Sequence, residues 1–157
     1  NLAFKALTLM ALLPVWLVLG LLFRPDFSSV TLVNVLIALP VIGLGFAISF
    51  LFGAALTCVA FWTTRAWALH EFYSALVVLF SGQFVPLTLM PPPIQAVAQY
   101  LPFQLFKYIP IQIILGRLDA PAILASYLGG LVWLALAVGL FRAVWSAGVK
   151  RYSAVGA

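Results

Sequence analysis

The chain has 157 residues, 66% of them hydrophobic and 7% charged, with eight Lys and Arg against three Asp and Glu for a formal charge of +5. A mean hydropathy of +1.21 excludes a soluble fold of this size, and the charges are separated by apolar runs long enough for the roughly 20 residues that a bilayer crossing needs. The cations are scattered singly and make no continuous basic face, which argues against nucleic acid as a partner in spite of a pI near 9.8.

Lys5 and Arg24 bracket a first predicted span, Ala6 to Phe23, and the turn formers and opposite charges from Arg24 to Ser29 predict a short exposed loop. From Phe27 to Thr64 there is no charge, a stretch too long for one straight crossing. Pro40 removes an amide donor and clashes with the preceding turn, so a break is expected there. Val30 to Leu39 then forms an interfacial or half-helical piece, and Val41 to Trp62 crosses. Within that crossing Gly43, Gly45, Ser49 and Gly53 make a small-residue face for close helix packing, either within the chain or against a partner.

Arg65, His70 and Glu71 supply the polarity that ends this crossing and starts the next, predicted from Phe72 to Val85 or Met90. The stretch Ser81 to Gly116 is then interrupted at Pro86, Pro91, Pro92, Pro93, Pro102 and Pro110. Broken helix at membrane depth is tolerated only where protein or a water-filled cavity covers it. Ile94 to Tyr100 and Gln104 to Leu115 are each too short to cross, so residues 86–116 are read as a re-entrant region of half-helices. A turn from Gly116 to Pro121 leads into the last predicted span, Pro121 to Phe141, and Arg142, Lys150 and Arg151 mark the tail.

The expected fold is therefore an all-α polytopic transmembrane bundle forming a single domain, residues 1–157, with four crossings. Placing the C-terminal tail in the cytoplasm puts Lys5, Arg65, Arg142, Lys150 and Arg151 on that side and leaves Arg24, Lys107 and Arg117 outside, in accord with the positive-inside tendency. The re-entrant region is then extracellular.

Few residues carry chemistry. One His, one Cys and three carboxylates lie in separate segments, and no metal-ligand, nucleophile or phosphate-loop pattern is present, so neither a catalytic residue nor a metal site is expected. Cys58 lies in an apolar run and reads as a small packing residue. His70 reads as a polar helix-end residue or a pH-sensitive group, and Glu71 favours the positive end of the helix it precedes. Lys107, between Phe106 and Tyr108, has two readings: a contact with an anionic substrate or lipid headgroup, or a side chain snorkelling to the surface.

The ordered segments Phe61-Trp62-Thr63-Thr64, Ser81 to Leu87, Met90-Pro91-Pro92, Leu101-Pro102-Phe103, Pro110-Ile111-Gln112, Leu115-Gly116-Arg117 and Trp145 to Ala157 resemble the bacterial ATP-binding-cassette (ABC) type-2 permease family, in particular its export-system branch. The resemblance runs from Phe61 to the end, and the first sixty residues are similar in hydropathy alone. It implies a six-helix permease of the bacterial inner membrane that pairs with a second permease, identical or related, and docks two cytoplasmic ATPase subunits. ATP and Mg would reside on those subunits and the chain itself would hold no cofactor. Against that pattern the chain lacks the first two helices and the main coupling loop, so Arg65, His70 and Glu71 become the candidates for ATPase coupling. Pro86, Pro91, Pro92, Pro102 and Pro110 would shape an outer gate, Phe103 and Phe106 would seal it, and Lys107 would lie within it. The alternative expectation is a non-transporting scaffold subunit of a larger membrane complex, for which the small-residue face serves equally well.

Overall fold

The computed structural model describes residues 2–23, 28–63, 65–83 and 89–155. Among them six α-helices follow in order: α1 (Leu2–Phe23), α2 (Leu32–Cys58), α3 (Ala66–Phe80), α4 (Pro92–Ala98), α5 (Tyr108–Ile114) and α6 (Ala120–Val155). Two 3-10 turns, Val59–Phe61 and Pro102–Phe106, extend α2 and precede α5. Three segments have the length and composition to cross a bilayer, namely Ala6–Phe23, Leu32–Phe61 and Ala120–Arg151. Of the predicted spans the first matches α1, whose described side chains are all exposed. Arg24, Asp26 and Pro86 lie outside the described residues.

The remaining predicted spans need correction. α2 begins where Thr31, in extended backbone, accepts the Asn34 amide on its hydroxyl at 3.2 Å, and it runs unbroken through Pro40 to Cys58. Proline inside a membrane helix is tolerated where neighbours satisfy the polar groups it frees. Here the Tyr127 hydroxyl reaches across from α6 and donates to the Ile37 carbonyl, one turn before Pro40. That carbonyl is one residue after that of Leu36, whose own donor Pro40 removes; the predicted break at Pro40 is absent, and Leu32 to Leu39 belongs to the same helix as the crossing. At 1.5 Å per residue α2 is about 40 Å long, enough to span by itself.

α2 and α6 form the frame, and they run in the same direction. Ile37 meets Tyr127, Leu44 lies 3.0 Å from the Cβ position of Gly130, Phe52 faces Trp133 with ring centroids 6.3 Å apart, and Phe61 faces Trp145 at 6.2 Å. The register rises together along both helices. One end of the pair therefore carries the start of α2, and the other carries Phe61 beside the C-terminal part of α6. α6 continues well past Phe141, the predicted end of its span, because charge alone does not stop a helix and no proline follows Pro121, in the first turn, through the rest of the 36 residues from Ala120 to Val155. Arg142 and Arg151 are exposed along that extension.

The core joins this frame to the segment between α3 and α6. Ala38, Val41 and Ile48 of α2 cluster with Leu105, Ile113 and Ala137. Lipid tails are as apolar as these side chains, so the gain comes from close packing and dispersion. Close approach is visible at Gly45, the middle residue of α2. Its Cβ position would stand 2.5 Å from the Leu105 carbonyl oxygen and 3.3 Å from the Phe106 Cα, so backbone seats on backbone.

Candidate functional site

Parallel α2 and α6 require the chain to travel back from the Phe61 end before α6 can start, and it does so in short pieces. Arg65 opens the return, its amide held by the Thr63 hydroxyl at 3.1 Å. α3 then descends against α2, with the His70 ring 3.9 Å from the Cβ position of Gly53 and Tyr73 facing Phe52 at 6.1 Å. It ends at Phe80 and not at Val85 or Met90, capped by Ser81 and followed by Gly82 at φ 75°. Fifteen residues give about 22 Å, short of the roughly 30 Å of a hydrocarbon core. α5 finishes the journey, delivering Gly116 (φ 63°) to the start of α2, where its Cβ position is 3.1 Å from Asn34 Nδ2 and 3.5 Å from the Ser29 carbonyl. Asn34 in turn donates to that carbonyl at 3.0 Å.

Between α3 and α5 the 3-10 turn Pro102–Phe106 lies at the level of Gly45, half-way along α2. The prolines here open short helices more than they interrupt long ones. Pro91 takes φ −54°, ψ 143° ahead of α4, which has Pro92 at its first position, the extended form a residue preceding proline prefers. Leu101 adopts φ −86°, ψ 150° before Pro102, which starts the 3-10 turn, and Pro110 sits in the first turn of α5. First-turn amides have no partner inside the helix, so proline costs little there.

Phe103 is the hub of this region. Buried, it stacks on Phe80 at 6.2 Å and meets Tyr73 at 6.0 Å and Phe106 at 5.9 Å, spacings at which aromatic pairs attract beyond simple burial. It ties α3 to the 3-10 turn. Pro102 and Pro110 are buried as well, whereas Pro91 and Pro92 are exposed. Of the small-residue face, Gly45 and Gly53 meet Leu105 and His70, Ser49 is half-buried, and Gly43 has nothing within 4 Å of its Cβ position.

Two features were not read from the sequence. The first is an open groove of about 580 Å³ between α6 and the broken segment, lined by Gln99, Tyr100, Gln104, Tyr108, Ser126 and Trp133 among others. Trp133 Nε1 donates to the Tyr100 carbonyl at 3.0 Å across it. Its α6 wall consists largely of small residues, Ala122, Ala125, Ser126, Gly129 and Gly130, whose three- and four-residue spacing was a legible signal of a close-approach face. The second is the partner of Lys107, whose ammonium donates to Gln83 Oε1 from the turn between Phe106 and Tyr108. Lys107 is exposed.

Arg65, His70 and Glu71 are exposed and share the end of the bundle that holds Phe61 and the C-terminal part of α6. None of the three lines the groove. Asp119 stands at the opposite end, where its Oδ1 accepts the Ala122 amide at 3.1 Å and caps α6. Among the described residues no group of three or more His, Cys, Asp or Glu side chains is placed to hold a metal ion.

The family model described as ABC-2 family transporter protein matches residues 2–156, extending the resemblance through the first sixty residues. Neither the curated proteins nor the solved structures gave a match. An all-helical chain with several apolar helices of spanning length, matched over nearly its whole extent, belongs to the ABC-2 transporter family of multi-pass membrane transport components.

Proposed function

We propose that the chain is a permease subunit of an ATP-driven exporter, in which it forms part of the translocation pathway with a second permease and is powered by two cytoplasmic ABC ATPase subunits. The observation that carries this reading is the interrupted return from α3 to α5 at the level of Gly45, packed against two parallel spanning helices and flanked by a groove. Irregular backbone at such depth is stable when it is buried in protein or lines a water-filled cavity. A scaffold subunit has no need of either, and that reading leaves the groove without an occupant.

In this mechanism α3, the broken segment and α5 together make the fourth crossing, and the region shaped by Pro91, Pro92, Pro102 and Pro110 closes the outer side of the pathway. Phe103 and Phe106 form its apolar seal. The end bearing Arg65, His70 and Glu71, with Arg142, Lys150 and Arg151 nearby along α6, faces the cytoplasm and the ATPases. ATP and Mg act on those partner subunits. The permease contributes contacts that differ between their nucleotide states, and that difference in contact free energy shifts the bundle between its inward and outward forms.

The test is purification from the bacterial inner membrane followed by reconstitution in vesicles. Co-purification of an ATPase subunit, with ATP hydrolysis that depends on the permease, supports the reading. A stable complex that contains no nucleotide-binding subunit overturns it.

A further inference from the structure

The α6 wall of the groove runs from Ala122 to Trp133, about 16 Å along the helix, within the segment Ala120–Arg151 that has the length and composition to cross a bilayer. The groove volume of about 580 Å³ falls within the roughly 300–1,000 Å³ of small-molecule sites. Its two walls differ. On α6, Ala122, Ala125 and Gly129 bring the surface close to the helix backbone, and the polar atoms are engaged within the protein. Ser126 Oγ donates to the Ala122 carbonyl at 2.8 Å, and Trp133 Nε1 donates to the Tyr100 carbonyl at 3.0 Å. The opposite wall carries the amides of Gln99 and Gln104 and the phenols of Tyr100 and Tyr108, groups that both donate and accept.

The described residues that line the groove include no Lys, Arg, His, Asp or Glu. An ion entering from water would give up its hydration with no opposite charge to meet, a cost that selects for uncharged molecules. A helix of a second copy is disfavoured for another reason. Such a copy would offer α1, where Thr8 and Trp16 are the only polar side chains between Ala6 and Phe23, or the exposed aliphatic face of α6 at Leu124, Leu128, Leu131 and Leu136. Neither supplies partners for two amides and two phenols, and a lipid tail supplies none, so those groups would be covered unpaired. The complementary molecule is uncharged, flat enough to lie on a wall of glycine and alanine, and polar along one edge.

We infer that this groove binds an uncharged, flat polycyclic molecule with a carbonyl or hydroxyl edge, which is the exported cargo. The inference rests on the exporter reading and supplies its substrate class. The ring system lies on Ala125 and Gly129, and the polar edge meets Gln104 and Tyr108.

The experiment uses the permease complex in phosphatidylcholine nanodiscs and the neutral tetracyclic ketone promegestone, which crosslinks to protein on irradiation. Saturable labelling of peptides from residues 99–109 or 122–133 is expected, read by mass spectrometry. Progesterone should compete about tenfold better than the same ring system carrying a succinate or a trimethylammonium group. Gly129→Leu fills the groove where a Cβ meets nothing within 4 Å, so the fold accepts it, and labelling should fall about tenfold. Gly139→Leu, equally open and outside the groove, should leave labelling unchanged. Gln104→Leu should weaken labelling about fivefold, the worth of one hydrogen bond. Equal competition by charged and neutral steroids, labelling without saturation, or labelling that survives Gly129→Leu overturns the inference. Loss of the second permease from the Gly129→Leu complex but not from the Gly139→Leu complex assigns the groove to a helix of that subunit and also overturns it. ATP hydrolysis measured on the same preparation separates the two claims. Normal hydrolysis without saturable labelling sinks the cargo assignment alone, whereas saturable labelling with no ATPase partner sinks the exporter reading.

Discussion

The carbonyl oxygen of Leu105 stands 2.5 Å from where a Cβ on Gly45 would be, so the broken segment is seated on the midpoint of α2 by contact that any side chain would prevent. Gly45→Ala must push the 3-10 turn away, with an overpacking cost of about 1–3 kcal/mol. Gly43→Ala, whose Cβ position meets nothing within 4 Å, should be neutral or slightly stabilising, since alanine is favoured over glycine in a helix by roughly 0.5–1 kcal/mol. Thermal unfolding of the two variants in detergent, compared with the parent, should move in opposite directions or leave Gly43→Ala unchanged.

Asp119 caps α6 through the Ala122 amide at 3.1 Å. Asp119→Ala removes the cap at a cost of about 1 kcal/mol, and Asp119→Asn, an equally good capping residue, should retain most of the stability. A midpoint of unfolding that falls for Ala and holds for Asn would identify the cap as the cause. Equal falls would point to the charge.

Tyr127 donates to the Ile37 carbonyl one turn before Pro40. Tyr127→Phe should cost about 0.5–1.5 kcal/mol, the net worth of such a bond. The amide that Pro40 lacks would bond the Leu36 carbonyl, one residue before the one Tyr127 uses, so little coupling between Tyr127→Phe and Pro40→Ala is expected. A double-mutant cycle on thermal stability measures that coupling, and strict additivity would separate the two features.

Gly148 is buried against the Phe61 ring, with no room for a Cβ between them. Gly148→Ala should loosen the end of the bundle nearest Arg65, and Phe61→Leu should recover part of the loss by vacating the space. Because the obstacle is a side chain able to turn aside, the expected effect is smaller than at Gly45, about 1 kcal/mol by the overpacking scale. Proteolysis at Arg65 gives a local readout.

Arg65 and Glu71 are exposed and do not line the groove. If they contact an ATPase subunit, Arg65→Glu should weaken co-purification and permease-dependent hydrolysis about two- to fivefold, in line with the 0.2–1 kcal/mol of exposed ion pairs, while leaving the thermal stability of the permease unchanged. An unchanged rate of hydrolysis in vesicles would remove Arg65 from the coupling surface.

Much of this molecule was legible in local composition. Uncharged runs of spanning length marked the regions of α1, α2 and α6, and the prolines from Pro91 to Pro110 marked a region that does not form one continuous helix, because length, hydropathy and missing amide donors are properties of a segment by itself. Three other matters were settled by contacts between residues far apart in the chain. α2 runs through Pro40 without a break, with Tyr127 of α6 donating to Ile37 one turn earlier. α6 passes Phe141 without a break, with Phe61 packed against Trp145 and Gly148 along the extension. Lys107 donates to Gln83, with the Leu105 backbone docked on Gly45 and the Gly82 turn docked on Tyr108. Periodicity and composition state which segments prefer to be helical and apolar, and the parallel pairing of α2 with α6 decides at what depth each polar group is held.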